Sequence, residues 1–234
     1  MIIGISGQAG SGKDTTADFL VKNNGFVKVS FADPLKRICK DVYDFSDEQL
    51  WGASEKRNEP DKRYPREIDD PSWDAGDYFE ANRYGIECPK VIEHLTTRFA
   101  LQILGTEWAR NCYENTWVDY ALRVAKKLSV EGGYNYDARL GLTHPWKPGD
   151  DVWKYHVVIP DVRFKNEITG IKNAGGKVVR IVRSGAGLKG AASAHQSEAE
   201  MREISDDEFD CIIENDGSLQ QLKNNVEVML HTFR

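Results

Sequence analysis

The feature that most constrains this chain is the run Gly7-Gln8-Ala9-Gly10-Ser11-Gly12-Lys13-Asp14-Thr15. It matches the pattern G-x-x-x-x-G-K directly after a short apolar segment, Ile2 to Ser6, and directly before a helical pattern that begins at Lys13. Glycines let the backbone curl so that its N–H groups point inward around a phosphate, and the positive end of the following helix adds to that field. Lys13 then reaches the β- and γ-phosphates of a nucleotide as a point charge. Strand, motif and helix agree, so a chance glycine-rich turn is the weaker explanation. The expected nucleotide contacts are Gly7, Gly10, Ser11, Gly12, Lys13, Asp14, Thr15 and Thr16. One position departs from the pattern. Where Ser or Thr usually follows the lysine stands Asp14, followed by Thr15 and Thr16. A carboxylate is a better ligand for a hard cation than a hydroxyl, so Asp14 could hold Mg²⁺ directly or through water. Alternatively Thr15 supplies the hydroxyl, and Asp14 only favours the helix N-terminus by its charge.

Five short β-rich segments stand out: Ile2 to Ser6, Phe26 to Phe31, Tyr155 to Pro160, Lys177 to Val182 and Cys211 to Asn215. The first, third and fourth are near-continuous apolar runs, as central parallel strands covered on both faces should be. Helical patterns fall between them at Lys13 to Asn23, Thr96 to Asn111, Thr116 to Ser129, Asn166 to Ala174 and Ser218 to Leu230. This alternation predicts βαβ units and a doubly wound α/β fold with a five-stranded parallel sheet. A length of 234 residues suits a single such domain with insertions. The net charge of -6 without a long basic run argues against a nucleic-acid binder. Cys39, Cys88, Cys112 and Cys211 form no C-x-x-C pair and read as reduced thiols rather than a disulfide framework or zinc site. The amino terminus lacks the basic and apolar regions of a signal peptide, and no run is long enough to span a bilayer. The expected compartment is a cytoplasm, with no membrane partner.

Two stretches break the rhythm. Residues 52–95 are polar and carry Pro60, Pro65, Pro71 and Pro89; residues 131–153 hold Gly132-Gly133, Pro145 and Pro148-Gly149. Both are expected as excursions from the sheet, mobile surface loops for the most part, with a substrate-covering flap as the functional alternative.

The third strand ends in Ile159-Pro160-Asp161-Val162-Arg163, then Phe164-Lys165-Asn166-Glu167. An acid at the carboxyl end of a strand beside the phosphate-loop strand is suited to holding a nucleotide's Mg²⁺, and Arg163 at the same edge is suited to gripping a phosphate. A surface salt bridge or helix cap is the bland alternative, and for Glu167 the two stand even. On the helical pattern from Thr96, Arg98, Gln102, Gly105 and Ala109 share a stripe with Thr106 at its margin, while the rest is mainly apolar. Such a helix is expected to be buried, so Arg98 needs a partner: a substrate phosphate, or an acid from residues 52–95. Arg180, Arg183 and Lys189 accompany Gly185, Gly187 and Gly190 after the fourth strand, as a lid over residues 183–200 would require. His195 reads equally as surface, cap or ligand; Ser197 and Glu200 could form a capping box. Trp108 reads as core, whereas Trp117 starts a helix near the expected acceptor pocket.

Six runs occur in order: Gly10-Ser11-Gly12-Lys13-Asp14-Thr15, Phe31-Ala32-Asp33-Pro34-Leu35-Lys36, Leu101-Gln102-Ile103-Leu104-Gly105-Thr106-Glu107, Asp161 to Glu167, His195-Gln196-Ser197-Glu198 and Asn215-Asp216-Gly217-Ser218. Together they resemble the deoxynucleoside monophosphate kinases of tailed bacteriophages, over most of the chain but poorly in the two excursions. The resemblance implies an adenylate-kinase-like, three-layer P-loop kinase fold, ATP as donor and Mg²⁺ as cofactor. It implies substrate roles for Arg98, Gln102, Gly105, Thr106, Trp117 and Arg163. The expected reaction is direct in-line transfer to the already ionised phosphate of a small-molecule dNMP, so no general base is required. Lys13, Asp14, Asp161, Arg163 and Arg183 are the expected catalytic set, with Asp14, Thr15 and Asp161 nearest the metal and Glu167 added on the substrate side. Competing expectations are a kinase for dephospho-coenzyme A or phosphomevalonate, and a nucleotide-dependent switch module. Which bases are accepted stays open, and so does the oligomeric state, a homodimer being possible.

Overall fold

A computed structural model of the chain describes residues 1–187, 201 and 203–234. In chain order the strands are β1 (Ile2–Ser6), β2 (Phe26–Lys28), β3 (Pro60–Asp69), β4 (Lys90–Thr96), β5 (Asn135–Asp137), β6 (Gly141–Thr143), β7 (His156–Val162), β8 (Lys177–Val182) and β9 (Cys211–Glu214). The α-helices are α1 (Lys13–Asn24), α2 (Asp33–Tyr43), α3 (Asp47–Trp51), α4 (Ala75–Tyr84), α5 (Thr97–Gln102), α6 (Thr116–Lys126), α7 (Lys165–Asn173) and α8 (Leu219–Phe233). The chain divides into two compact units, one of Met1–Pro34 with Ala109–Arg234, the other of Leu35–Trp108. No helix among the described residues is long and apolar enough to cross a membrane.

In the first unit β2, β7, β1, β8 and β9 lie in that order in one sheet, every pair parallel. The near-continuous apolar runs predicted for the central strands are buried through most of their length, Ile3, Val157, Val158, Val178 and Val179 completely, while Val182 at the end of β8 is exposed. Ile3 and Ile5 of β1 point to one face, where they meet Ala17 and Leu20 of α1 and Leu222, Val226 and Leu230 of α8. Burying each large aliphatic side chain there stabilises the fold by roughly 1.5–3 kcal/mol. Gly4 faces the other way. A Cβ on it would come within 2.7 Å of Ile171 Cδ1, so α7 packs against the opposite face at a distance only glycine permits. Helices on both faces give the expected three-layer α/β architecture.

The order of the strands matters for function. From β1 the chain moves outward to β2 on one side, and β8 then adds on the other, which makes β1 the point where strand order reverses. Ligands of open parallel sheets bind beyond the carboxyl ends of strands at such a point. Beside it, β7 carries Pro160, which cannot donate to the ladder. Gly4 pairs with Ile159 but Ser6 pairs with Val162, so β7 has one extra residue. This bulge, adjoining the proline, re-aims the strand end at Asp161.

Two expectations are corrected here. The segment Thr96 to Asn111 is not one α-helix: α5 stops at Gln102, and Ile103–Arg110 continue as a π-helix. Beyond Gln102 the residues advance less than 100° each, so the stripe from Arg98 to Ala109 loses its register. Nor is the segment buried all round, since Ile103 is 41% and Trp108 55% exposed. Residues 52–95, expected mainly as mobile loops, contain a 3₁₀ turn (Ser54–Asn58), the antiparallel pair β3–β4 and α4, capped by Asp74. Their strands are charged and largely solvent-facing, so no apolar alternation announced them. Cys39, Phe45, Leu50 and Ala100 form the core of this second unit. The 131–153 stretch contains the short hairpin β5–β6.

Candidate active site

The phosphate loop joins β1 to α1. Gly12, the residue before α1, has φ +101°, in the left-handed region where a side chain is strained. No side chain caps α1, so the first-turn N–H groups are not taken by a side-chain cap and face the role such termini suit, holding an anion. The loop itself is braced from outside. Asn215, at the end of β9, donates from Nδ2 to the Ser11 carbonyl at 2.7 Å, and Gly187 N donates to the Ala9 carbonyl at 2.9 Å.

Lys13 Nζ lies 2.8 Å from Asp14 Oδ2, with the lysine 13% and the aspartate 73% exposed. Thr15 is exposed, whereas Thr16 is buried. The buried hydroxyls of Ser11 and Thr16 have no hydrogen-bond partner among the described residues. Buried hydroxyls ordinarily find one, so this loop fits a ligand that brings oxygens of its own.

Asp161, on the bulged end of β7, is held by the turn after β2. Its Oδ1 accepts from Phe31 N at 3.1 Å, and its Oδ2 accepts from Ala32 N at 3.2 Å and from the Ser30 hydroxyl. Three donors from three consecutive residues fix the orientation of this carboxylate. Two residues on, the Arg163 backbone N–H donates to Glu167 Oε2 at 2.7 Å, and Phe164 N–H donates to the same oxygen at 3.1 Å. Glu167 therefore caps α7. It is 4% exposed, and burial pushes its carboxyl up to about 8 against the two amides and Arg110, which pull it down. Arg110 Nη1 stands 3.8 Å from Glu167 Oε1, its guanidinium lies over the Phe164 ring at 3.8 Å, and its Nη2 donates to Asn166 Oδ1.

After β8, Ser184 donates through its backbone N–H (2.6 Å) and hydroxyl (2.7 Å) to Asp216. Those bonds hold the Asp216 carboxyl below its usual range. Arg183, next in line, is exposed, and it lines a cavity of about 280 Å³ together with Gly7, Gln8 and Ser11. Arg180 lines the same cavity but sits within β8, an inner strand, and its guanidinium is tied to the Met201 and Ile204 carbonyls and to Asp206. Lys189, Gly190, His195, Ser197 and Glu200, with the rest of residues 188–200, lie outside the described residues.

The first unit thus gathers Lys13, Asp14, Asp161, Arg163, Glu167 and Arg183 at the carboxyl ends of β1, β7 and β8. Trp117 is in the same unit, 8% exposed at the start of α6. Arg98, Gln102, Gly105 and Thr106 belong to the other unit. There Arg98 donates to Ser54 Oγ at 2.9 Å and to Asn58 Oδ1. Those partners come from the 52–95 stretch as expected of a protein partner, but they are neutral and leave the guanidinium charge uncompensated by them. Sequence reasoning missed Ser30, Arg110 and the brace by Asn215; only Asn215 carried a signal, as part of the run Asn215 to Ser218.

Among the described residues no three His, Cys, Asp or Glu side chains cluster as a metal cage. Mg²⁺ in nucleotide sites needs no such cage, because one or two carboxylates, water and phosphate oxygens complete its shell.

A family profile described as "Deoxynucleotide monophosphate kinase" matches residues 1–69. A protein of Acanthamoeba polyphaga mimivirus, provisionally named a deoxynucleotide monophosphate kinase, is 29% identical over 97% of this chain and 94% of its own. The deoxynucleotide monophosphate kinase of Enterobacteria phage T4 is 24% identical over 97% and 99%. Among solved structures, TT1252 from Thermus thermophilus aligns at TM-score 0.41 and 13% identity over 100% of this chain and 98% of its own. A dephospho-CoA kinase from Campylobacter jejuni aligns at 0.43 and 13%, over 98% and 95%. At such scores these two structures carry no argument. The sequence matches do: along nearly its whole length, this chain is similar to two proteins named as deoxynucleotide monophosphate kinases.

Proposed function

We propose that the chain is an ATP-dependent kinase that transfers the γ-phosphoryl group of ATP to a deoxynucleoside 5′-monophosphate, giving the diphosphate. The observation that carries this reading is the uncapped, glycine-shaped loop with Lys13 after β1, beside Asp161 at the end of β7, in a chain whose full-length relatives bear that activity in their names. The α1 N–H groups and Lys13 bind the donor phosphates. Asp14 or Thr15, with Asp161, would hold Mg²⁺, which when bound neutralises charge between the β- and γ-phosphate oxygens. In the first unit Arg163 grips the acceptor phosphate, with Glu167 supporting it through the backbone and Trp117 on the acceptor side, and Arg183 screens charge on the group in transfer. In the second unit Arg98, Gln102, Gly105 and Thr106 are assigned substrate contacts. The acceptor oxygen is already ionised, so the residues position and neutralise rather than abstract a proton. The setting fits the cytoplasm of a host cell supplying precursors for viral DNA.

The test is ADP release from ATP and Mg²⁺ with each dNMP, each NMP, dephospho-coenzyme A and phosphomevalonate offered in turn. Stimulation by one or more dNMPs that disappears in Lys13→Ala is the expected result. Stimulation by dephospho-coenzyme A or phosphomevalonate alone would replace the acceptor class. No stimulation by any of them, in protein that binds ATP, would overturn the kinase reading.

A further inference from the structure

We propose that Tyr136, on the β5–β6 hairpin, is a positioning residue for Asp161, acting through a relay of hydrogen bonds that crosses the turn after β2. The inference rests on the reading of Asp161 as the acid beside the nucleotide's metal. Tyr136 Oη donates to Asp33 Oδ2 at 2.9 Å, and the same oxygen accepts the Ser30 backbone N–H at 3.0 Å. The Ser30 hydroxyl in turn donates to Asp161 Oδ2. Asp33 is 4% exposed, and a buried carboxylate is stable only with donors arranged around it. Tyr136 supplies one such donor from 103 positions away in the chain.

Ser30, Phe31 and Ala32 supply all three hydrogen bonds seen on the Asp161 carboxylate, so the conformation of that tripeptide sets where its oxygens stand. Asp33 closes the turn by accepting from Ser30 N, while Asp33 N donates back to the Ser30 carbonyl at 3.2 Å. When the Tyr136 hydroxyl is lost, the Asp33 carboxylate shifts toward its remaining donors, and that shift moves Ser30. The hairpin has only three residues in each strand, too few to persist alone, and is held by Gly133 N donating to the Trp153 carbonyl and Trp153 Nε1 donating to the Tyr134 carbonyl. The excursion at residues 131–153 thereby delivers one phenol to the back of the site.

Tyr136→Phe keeps the ring and removes the hydroxyl. ADP binding is measured by calorimetry, with Mg²⁺ and with the metal chelated, for wild type, Tyr136→Phe, Ser30→Ala and the double variant. The expected result is unchanged ADP affinity without metal and a Mg²⁺-dependent gain in affinity about fivefold smaller than in wild type, the size of a modest hydrogen-bond loss. The double variant should lose no more than Ser30→Ala alone, because both act through one relay. In turnover with Mg²⁺, the ATP KM should rise by a similar factor of about five, while the KM for the acceptor stays near the wild-type value. A Tyr136→Phe protein with the wild-type Mg²⁺ gain overturns the inference whatever its thermal stability, and so do additive losses in the double variant. A wild type with no Mg²⁺-dependent gain would instead sink the underlying reading of Asp161. If Tyr136→Phe does not fold, Ser30→Ala alone still decides, since it must show the reduced gain.

Discussion

Glu167 offers a measurement in which burial and pairing pull in opposite directions. Its carboxyl is raised to about 8 from an ordinary 4.5, with burial as the largest cause. The native state therefore keeps a proton that the unfolded chain releases between those values. The native form binds more protons in this window, so stability is full below about pH 4.5 and falls as pH rises toward 8. The slope of one such group reaches about 1.4 kcal/mol per pH unit, and over the whole window it sums to roughly 4–5 kcal/mol. Glu167→Gln keeps an oxygen to accept the Arg163 and Phe164 amides but has no proton to release. Urea unfolding at pH 5, 6.5 and 8, without nucleotide, gives the stability difference between the two proteins, from which all other titrations cancel. Wild type should lose about 1 kcal/mol per pH unit relative to Glu167→Gln across this range. A difference that stays flat with pH would refute the reasoning. The carboxylate would then be ionised throughout, with the two amides and Arg110 at 3.8 Å outweighing burial.

Two further outcomes follow from the braced phosphate loop. Asn215→Ala leaves the Ser11 carbonyl without its 2.7 Å donor in a buried place, which should cost about 1–3 kcal/mol in urea unfolding and weaken ATP binding in calorimetry. Gly12→Ala puts a side chain at φ +101° with its Cβ 2.3 Å from Asn215 Nδ2. It should abolish the thermal shift induced by ATP while leaving the circular dichroism spectrum intact, and adding Asn215→Ala should recover part of its lost stability, because the collision is removed but the backbone strain is not.

What could be read in the sequence is what neighbouring residues encode together. The phosphate loop is one contiguous run whose strand, turn and helix each show in local composition, and the apolar runs of β1, β7 and β8 follow from being covered on both faces. Asp161 was legible because a strand's end is visible in its own residues, and the motifs around it already pointed to the same relatives the comparisons found. Local pattern could not announce the bond from Asn215 to Ser11, 204 positions apart, or that from Ser30 to Asp161, 131 apart. Nor could it show that Glu167 would face Arg110, or that residues 35–108 would gather a core of their own around Phe45 and Leu50. The π-helix after Gln102 defeated the 3.6-residue period because its cause is not a spacing of side chains. Periodicity and propensity report which face of a segment is dry. Which polar atom meets which across the fold is decided when buried groups must find partners, and that depends on the packed chain as a whole.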